Sequence, residues 1–358
     1  MTSQKAIIVT SPTHAALVSD RPIPKLRDDG ILVKTVSVAL NPTDWKHIDY
    51  LAPPGVLVGC DYAGVVQEVG KNVKKPFQKG DRICGFAHGS NAVQPEDGTF
   101  AEFIVVKGDL QYRIPDKMSF EEAATLGLGV TTAAQGLYQS LRLALPTEPL
   151  QQSLPILIYG GSTATGTLAI QFAKLSGYEV LTTCSPRNFE QVTSIGADKV
   201  FDYNDPSTAE AIRQQTGDSL TLAFDTISLK SSADYCDRAL SSQGGNYSSL
   251  LPISIERDNV RDRATMAYTA FGEPFKFGPR DIPARPDDRA FSERFCTIFE
   301  DLLAAGKMKV HPPRVGDGGL DGILGGLQLL KEGKVSGEKL VYNIADTRSA
   351  DTRSATSS

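Results

Sequence analysis

The stretch Ile156-Leu157-Ile158-Tyr159-Gly160-Gly161-Ser162-Thr163-Ala164-Thr165-Gly166 decides how the chain is read. An apolar run reads as a buried strand, small residues make a turn, and residues 165–176 carry a helical pattern. A strand feeding a helix in this way offers an anion the free amides and positive dipole of the helix N-terminus. Against the dinucleotide spacing G-x-G-x-x-G, Gly161 and Gly166 take the outer positions and Thr163 the middle one. An ordinary tight turn has the same local chemistry, so the residues downstream of the turn must separate the two.

Downstream, strand and helix alternate. Strands are expected at residues 178–183, 199–203, 220–225 and 245–249, with helices at 189–195, 208–215 and 231–240 between them. That rhythm predicts an α/β fold with a doubly wound parallel sheet. The second strand ends Thr182-Thr183-Cys184-Ser185-Pro186-Arg187-Asn188, with no acid where NAD-specific folds hold the ribose 2′-hydroxyl. Ser185 can donate a hydrogen bond, Arg187 can pair with a phosphate dianion, and Tyr203 can add a phenolic donor. This set favours NADPH. The alternative is that Ser185 caps the next helix and Arg187 is solvated.

Upstream, the first 120 or so residues read as short strands, at 31–40, 64–69, 83–86 and 100–106, separated by turns such as Lys79-Gly80-Asp81-Arg82. The spacing predicts a β-rich, barrel-like domain. Asn41-Pro42 can start a helix through an N-cap and a first-turn proline. Ser119-Phe120-Glu121-Glu122 is a capping box, which accounts for its two carboxylates. A second helix is expected at 131–142, and residues 144–155, with three prolines, form a loop. A helix at 289–305 precedes a strand at 339–344 expected to return to the first domain. The expected domains are therefore 1–124, completed by 309–344, and 125–308. Residues 345–358, with their tandem ADTRS repeat, are expected to be a disordered tail.

At 358 residues with 41% hydrophobic and 22% charged side chains, the chain can fill two cores. A net charge of −5 without a long basic run argues against a nucleic-acid partner. No stretch approaches the roughly 20 apolar residues that span a bilayer. With no secretory, peroxisomal or prenylation signal read at either end, a cytoplasmic location is expected. Five scattered cysteines fit neither a disulfide framework nor a C-x-x-C metal knuckle, and are expected to be buried thiols. No G-x-S-x-G elbow is present, which disfavours a serine hydrolase. His47, His88 and His311 lie in no nucleophile or metal spacing, and structural or surface roles are expected for them.

Asn41-Pro42-Thr43-Asp44, the run from Gly59 through Val66 (GCDYAGVV), Gly80-Asp81-Arg82-Ile83, Gly98-Thr99-Phe100-Ala101-Glu102 and Ala123-Ala124-Thr125-Leu126 together resemble the medium-chain dehydrogenase/reductase superfamily over residues 4–344. The resemblance implies a GroES-like catalytic domain, a Rossmann domain and an active site between them. Zinc alcohol dehydrogenases of that superfamily carry a His-Glu pair where this chain has Cys60-Asp61. Cys60 alone cannot build a three-ligand zinc site, so the chain is expected to be zinc-free.

The strings from Tyr159 through Thr165, Leu175-Ser176-Gly177-Tyr178, Thr183-Cys184-Ser185-Pro186, Val200-Phe201-Asp202-Tyr203, Phe271-Gly272-Glu273 and Ser336 through Val341 look most like the trans-acting enoyl reductases of fungal polyketide synthases, of the lovastatin enoyl reductase type. That resemblance implies hydride transfer from NADPH to the β-carbon of an enoyl thioester carried by an acyl carrier protein. It implies a polyketide or hybrid polyketide–peptide megasynthase as partner, and a monomer. By family position, Thr43, Asp44, Trp45, Lys46, Ser162, Thr163, Ala164, Thr165, Ser185, Arg187, Tyr203, Leu250 and Ser336 would bind the cofactor. Val130, Thr131, Thr132, Ala133 and Leu137, with Phe271, Gly272 and Glu273, would line the substrate path. Lys46 would stabilise the enolate or protonate the α-carbon, water being the other proton source. Its alternative reading is a surface lysine near Asp44 and Asp49. Thr132 would bond the nicotinamide or the thioester carbonyl; its alternative is a helix cap. A free-standing quinone or 2-alkenal reductase, or a catalytically weak nucleotide-binding protein suggested by Thr163, are the competing functions.

Overall fold

The computed structural model describes residues 2–348. In chain order its strands are β1 (Ser3–Ser11), β2 (His14–Pro22), β3 (Gly30–Ala39), β4 (Asp61–Val69), β5 (Arg82–Phe86), β6 (Phe103–Lys107), β7 (Gln111–Arg113), β8 (Pro155–Tyr159), β9 (Glu179–Cys184), β10 (Lys199–Asp202), β11 (Leu222–Asp225), β12 (Gly245–Ser249), β13 (Val260–Ala264), β14 (Phe275–Phe277), β15 (Arg280–Ile282), β16 (Pro313–Gly316) and β17 (Lys339–Asn343). The α-helices are α1 (Pro42–Tyr50), α2 (Phe120–Ala124), α3 (Gly127–Ala134), α4 (Ala164–Leu175), α5 (Phe189–Ser194), α6 (Thr208–Gln215), α7 (Lys230–Ala239), α8 (Pro286–Ala304) and α9 (Ile323–Lys331). They fall into two compact units, one of residues up to Leu128 with Tyr268–Ala305 and the segment from Val310, the other of Gly129–Ala267 with Gly306–Lys309.

In the first unit, β16, β17, β3, β4, β5 and β7 lie side by side in one sheet, with β6 also paired to β3. Alternating β-branched residues make this a two-sided sheet whose inner face, with Ile31, Val33, Tyr62, Val66 and Ile104, is buried. The C-terminal strand does return here: Val341 pairs with Ala39 and Tyr342 with Val38, both antiparallel. The sequence placed residues 268–305 with the nucleotide fold. In the structure they group with the first unit, because Glu300 on α8 pairs with Lys75 at 2.5 Å and Phe299 packs edge-on against Tyr112.

The second unit holds six parallel strands in the order β10-β9-β8-β11-β12-β13. Numbered within the unit this is 3-2-1-4-5-6, the Rossmann order, and the order reverses between β8 and β11. Ligands bind such sheets outside the carboxyl ends of the strands at that switch point. The buried strand β8 and the apolar face of α7, with Ala233, Cys236 and Ala239, share one core.

Two expectations shift. The helix expected at 131–142 begins at Gly127 and passes into a π-helical turn over Gln135–Ser140, where Gly136 presses on the Phe224 ring. Ile344–Asp346 form a 3-10 turn where the tail was expected to start; residues 349–358 lie outside the described residues. All five cysteines are buried free thiols. No helix among the described residues is long and apolar enough to cross a membrane.

Candidate active site

The phosphate-type turn of the second unit is built as its sequence suggests. Gly160 sits at φ +82°, a backbone conformation open to glycine. A Cβ on Gly161 would run into the Thr182 hydroxyl, so the first glycine is demanded by the neighbouring strand. Thr163, at the middle position, is the N-cap of α4: its Oγ1 accepts from the Gly166 amide at 2.9 Å and meets Thr226 Oγ1 at 2.9 Å. Threonine here therefore organises the helix start. The amides of Ser162, Ala164 and Thr165 have no partner among the described residues and remain available to an anion.

At the end of β9, Ser185 does not cap; its Oγ lies 3.2 Å from the Tyr203 hydroxyl. Arg187 is exposed and has no carboxylate partner among the described residues. The nearest acid on β10, Asp202, is turned to Asn204, accepting from its backbone and side-chain nitrogens at 2.9 Å. The loop after β11 is fixed by Asp225, fully buried, which accepts from the amides of Ile227 and Ser228, from Ser232 and from Tyr247. Leu250 is held by its amide donating to Ser228 Oγ at 2.8 Å. Sequence reading missed Asp225, whose four partners lie up to 22 residues away.

Among the residues expected along the substrate path, Val130, Ala133 and Leu137 are core. Thr131 and Thr132 are half-buried. Thr132 is the sixth residue of α3, which removes the capping alternative, and its hydroxyl has no partner among the described residues.

In the first unit, the Asn41 amide donates to Asp44 at 2.7 Å, closing the start of α1. Asp44 is thus turned inward, and burial raises its carboxyl to about 7, with Asp61 adding to the shift. A group held protonated in the folded state stabilises it fully below its unfolded value near 4, and that contribution is lost as pH rises towards 7. Asp44→Asn is therefore expected to flatten the fall in melting temperature between pH 5 and 7.5, read by thermal scans at each pH.

Lys46 is half-buried, its ammonium 5.6 Å from the Trp45 ring, and desolvation lowers its pKa. It forms no ion pair among the described residues: Asp49 is taken by Lys331 at 2.7 Å and Asp44 by its own helix. The two carboxylates near which the surface-lysine reading places it are thus engaged elsewhere. Thr43 is gripped by the Tyr268 hydroxyl at 2.9 Å and His47 Nδ1 at 3.0 Å, while the Cys60 thiol, pushed up by burial, lies 3.6 Å from Tyr268. Phe271 is buried beside Phe86, Gly272 has φ +73°, and Glu273 pairs with Lys107. Trp45 packs on the core and Ser336 is exposed. Among the described residues no three His, Cys, Asp or Glu side chains converge to hold a metal ion.

The first unit also holds an ion pair that the sequence did not reveal. Asp61 and Lys339, both buried, meet at 2.5 Å. Asp61 also accepts from Asn41 Nδ2 at 2.9 Å and from the Leu128 amide at 2.5 Å, so one carboxylate fixes the starts of both α1 and α3.

Residues 27–116 match the alcohol dehydrogenase GroES-like domain family and residues 164–248 the zinc-binding dehydrogenase family. A trans-enoyl reductase of Cochliobolus carbonum, TOXD, is 66% identical over 77% of this chain and 93% of its own length. The trans-enoyl reductase resD of Aspergillus sclerotiorum is 50% identical over 95% of this chain and all of its own. Among solved structures, the CurK enoyl reductase superposes with a TM-score of 0.74 at 19% identity, covering 95% of this chain and 99% of that one. A putative zinc-dependent alcohol dehydrogenase from Rhizobium etli CFN 42 gives 0.77 at 24% identity over 96% and 98%. These two likenesses speak to fold.

Proposed function

This chain belongs to the medium-chain dehydrogenase/reductase family and, within it, to the trans-enoyl reductases, and from that premise we propose that it reduces the α,β-double bond of an enoyl thioester with NADPH, without zinc, while the thioester rides on the acyl carrier of a polyketide or hybrid polyketide–peptide synthase. The observation that carries the chemistry is Lys46, a half-buried ammonium without a carboxylate partner among the described residues. A cation so placed can stabilise the negative charge that develops on the thioester oxygen as the enolate forms.

The turn after β8 and the Ser185–Arg187–Tyr203 group fit a phosphorylated dinucleotide: free helix amides for the pyrophosphate, an uncommitted guanidinium for a ribose phosphate, and no acid aimed at the same place. NADPH bound there supplies the hydride. The chain's own residues do the rest. Thr132 offers an unpartnered hydroxyl to the carboxamide or thioester carbonyl. Thr43, its hydroxyl held from two sides, is a fixed polar group at the start of the lysine-bearing helix. Lys46, or water beside it, delivers the α-carbon proton.

Arg187→Ala is expected to weaken NADPH binding about 10- to 100-fold while leaving NADH binding nearly unchanged, since a charge-assisted hydrogen bond to the extra phosphate is lost. Nucleotide fluorescence titration reads both. The function itself is tested by NADPH consumption with crotonyl-CoA and an enoyl-pantetheine thioester, with a quinone as control. Turnover confined to the quinone would contradict the enoyl reductase reading.

A further inference from the structure

A cavity of about 360 Å³ opens in the first unit, walled by His88, Gln94, Phe271 and Phe275, with Arg27 and Lys107 at its sides. Its charges are already paired, although the buried Arg27 Nε–H has no acceptor among the described residues. Arg27 meets Asp97 at 2.6 Å, and Lys107 meets both Asp29, at 2.7 Å, and Glu273. A charged ligand would have to break one of these pairs, so the cavity suits an uncharged guest.

Its neutral groups are not matched. His88 is 5% exposed, yet neither ring nitrogen has a hydrogen-bond partner among the described residues. The ring is clamped by stacking on Tyr268 at 4.3 Å and Phe271 at 5.6 Å, with Phe275 edge-on at 4.9 Å. Burial lowers its pKa to about 3, so it stays a neutral imidazole with one donor and one acceptor. Gln94, half-buried in the same wall, likewise has a side-chain amide without a partner among the described residues. Polar groups of a cavity wall that no protein group pairs are open to the donors and acceptors of a guest. An imidazole and a carboxamide each offer one group for a carbonyl and one for an N–H, which is the pattern of a secondary amide. An alkyl chain would satisfy neither.

We infer that this cavity receives an amide-bearing, uncharged segment of the substrate, namely the pantetheine arm of the carrier-bound thioester. The inference rests on the enoyl-thioester reading above for the identity of the arm, while the amide chemistry stands on the cavity. The phenylalanine faces would cover the arm's methylene and gem-dimethyl groups, and His88 and Gln94 would hold its amides.

The test uses the full chain and free pantetheine, followed by saturation-transfer NMR. His88→Phe keeps a flat ring in the aromatic stack but removes both nitrogens. Gln94→Ala touches no part of that stack and guards against a folding defect. Each variant is expected to weaken pantetheine binding about tenfold. The same variants should lower by a similar factor the kcat/KM advantage of crotonyl-pantetheine over crotonyl-N-acetylcysteamine, which lacks the second amide and the pantoyl group. Pantetheine binding unchanged in both variants would overturn the assignment. So would an unchanged thioester preference accompanied by altered discrimination among acyl groups, since that result gives the cavity to the acyl chain. If no thioester is reduced but pantetheine binding is still lost in the variants, the reductase reading fails and the cavity assignment stands.

Discussion

Lys46→Ala is expected to lower kcat for an enoyl-pantetheine thioester by at least about 100-fold, the usual contribution of a positioned acid or charge to such a step. NADPH affinity should stay within a few-fold of the parent chain, because the helix amides and the guanidinium proposed to hold the nucleotide's phosphates are carried by the other unit. The geometry makes this a clean experiment. The Lys46 ammonium has no ion pair to lose among the described residues, and its stem lies beside Trp45, which keeps a second cation, Lys331, at 5.7 Å. Lys46→Arg should recover only part of the rate, since a planar guanidinium does not place its charge or its proton where an ammonium does. A kcat within threefold of the parent for Lys46→Ala would leave the enolate without the protein cation proposed here.

Asp61→Ala is expected to be the most damaging single change to the fold. It strands the Lys339 ammonium, 3% exposed, among buried groups and removes the acceptor for Asn41 Nδ2 and the Leu128 amide. Breaking a buried pair on one side costs about 3–5 kcal/mol. In a chain of this size that lowers the unfolding midpoint by on the order of 10 °C, measurable by calorimetry. Replacing both partners, as Asp61→Leu with Lys339→Met, should restore much of the midpoint because no unpaired charge remains. It should not restore turnover, since the starts of α1 and α3 lose their shared anchor. Full activity in that double variant would show that the pair serves stability alone.

How much of the molecule was legible in the sequence depended on the range of the interactions. The turn after β8 was legible because its meaning is local: an apolar strand, small residues and a helix start lie within eleven residues. The start of α1 was legible for the same reason, Asn41, Pro42 and Asp44 being near neighbours. The role of Thr163 was not legible, since its partner Thr226 sits on the adjacent strand's loop, 63 residues on. The beginning of α3 was placed four residues late. Gly127-Leu128-Gly129 has weak helix propensity, and the helix starts there because Asp61, 67 residues earlier, accepts the Leu128 amide. Tertiary context overrode the local signal.

The longest-range features were the least visible. Asp61 and Lys339 are separated by 278 positions, and a lone Asp and a lone Lys announce nothing until a sheet aligns them. His88 gave no catalytic or metal spacing, so a structural or surface role was expected. Its stacking on Tyr268, 180 positions away, accounts for its burial but leaves its nitrogens open to the cavity. The hairpin of β14 and β15, which brings Phe275 to that wall, turns through Gly278-Pro279, a local turn signal that says nothing of the distant wall it joins.

Hydride delivery to an enoyl thioester is best checked by the mass and position of the label after turnover with NADPH deuterated at the reactive nicotinamide carbon and crotonyl-pantetheine as substrate. The expected product is a saturated butyryl thioester carrying one deuterium at the β-carbon, with the α-carbon proton drawn from solvent. Crotonyl thioester recovered unreduced, or deuterium found at any carbon other than β, would contradict the proposed reaction.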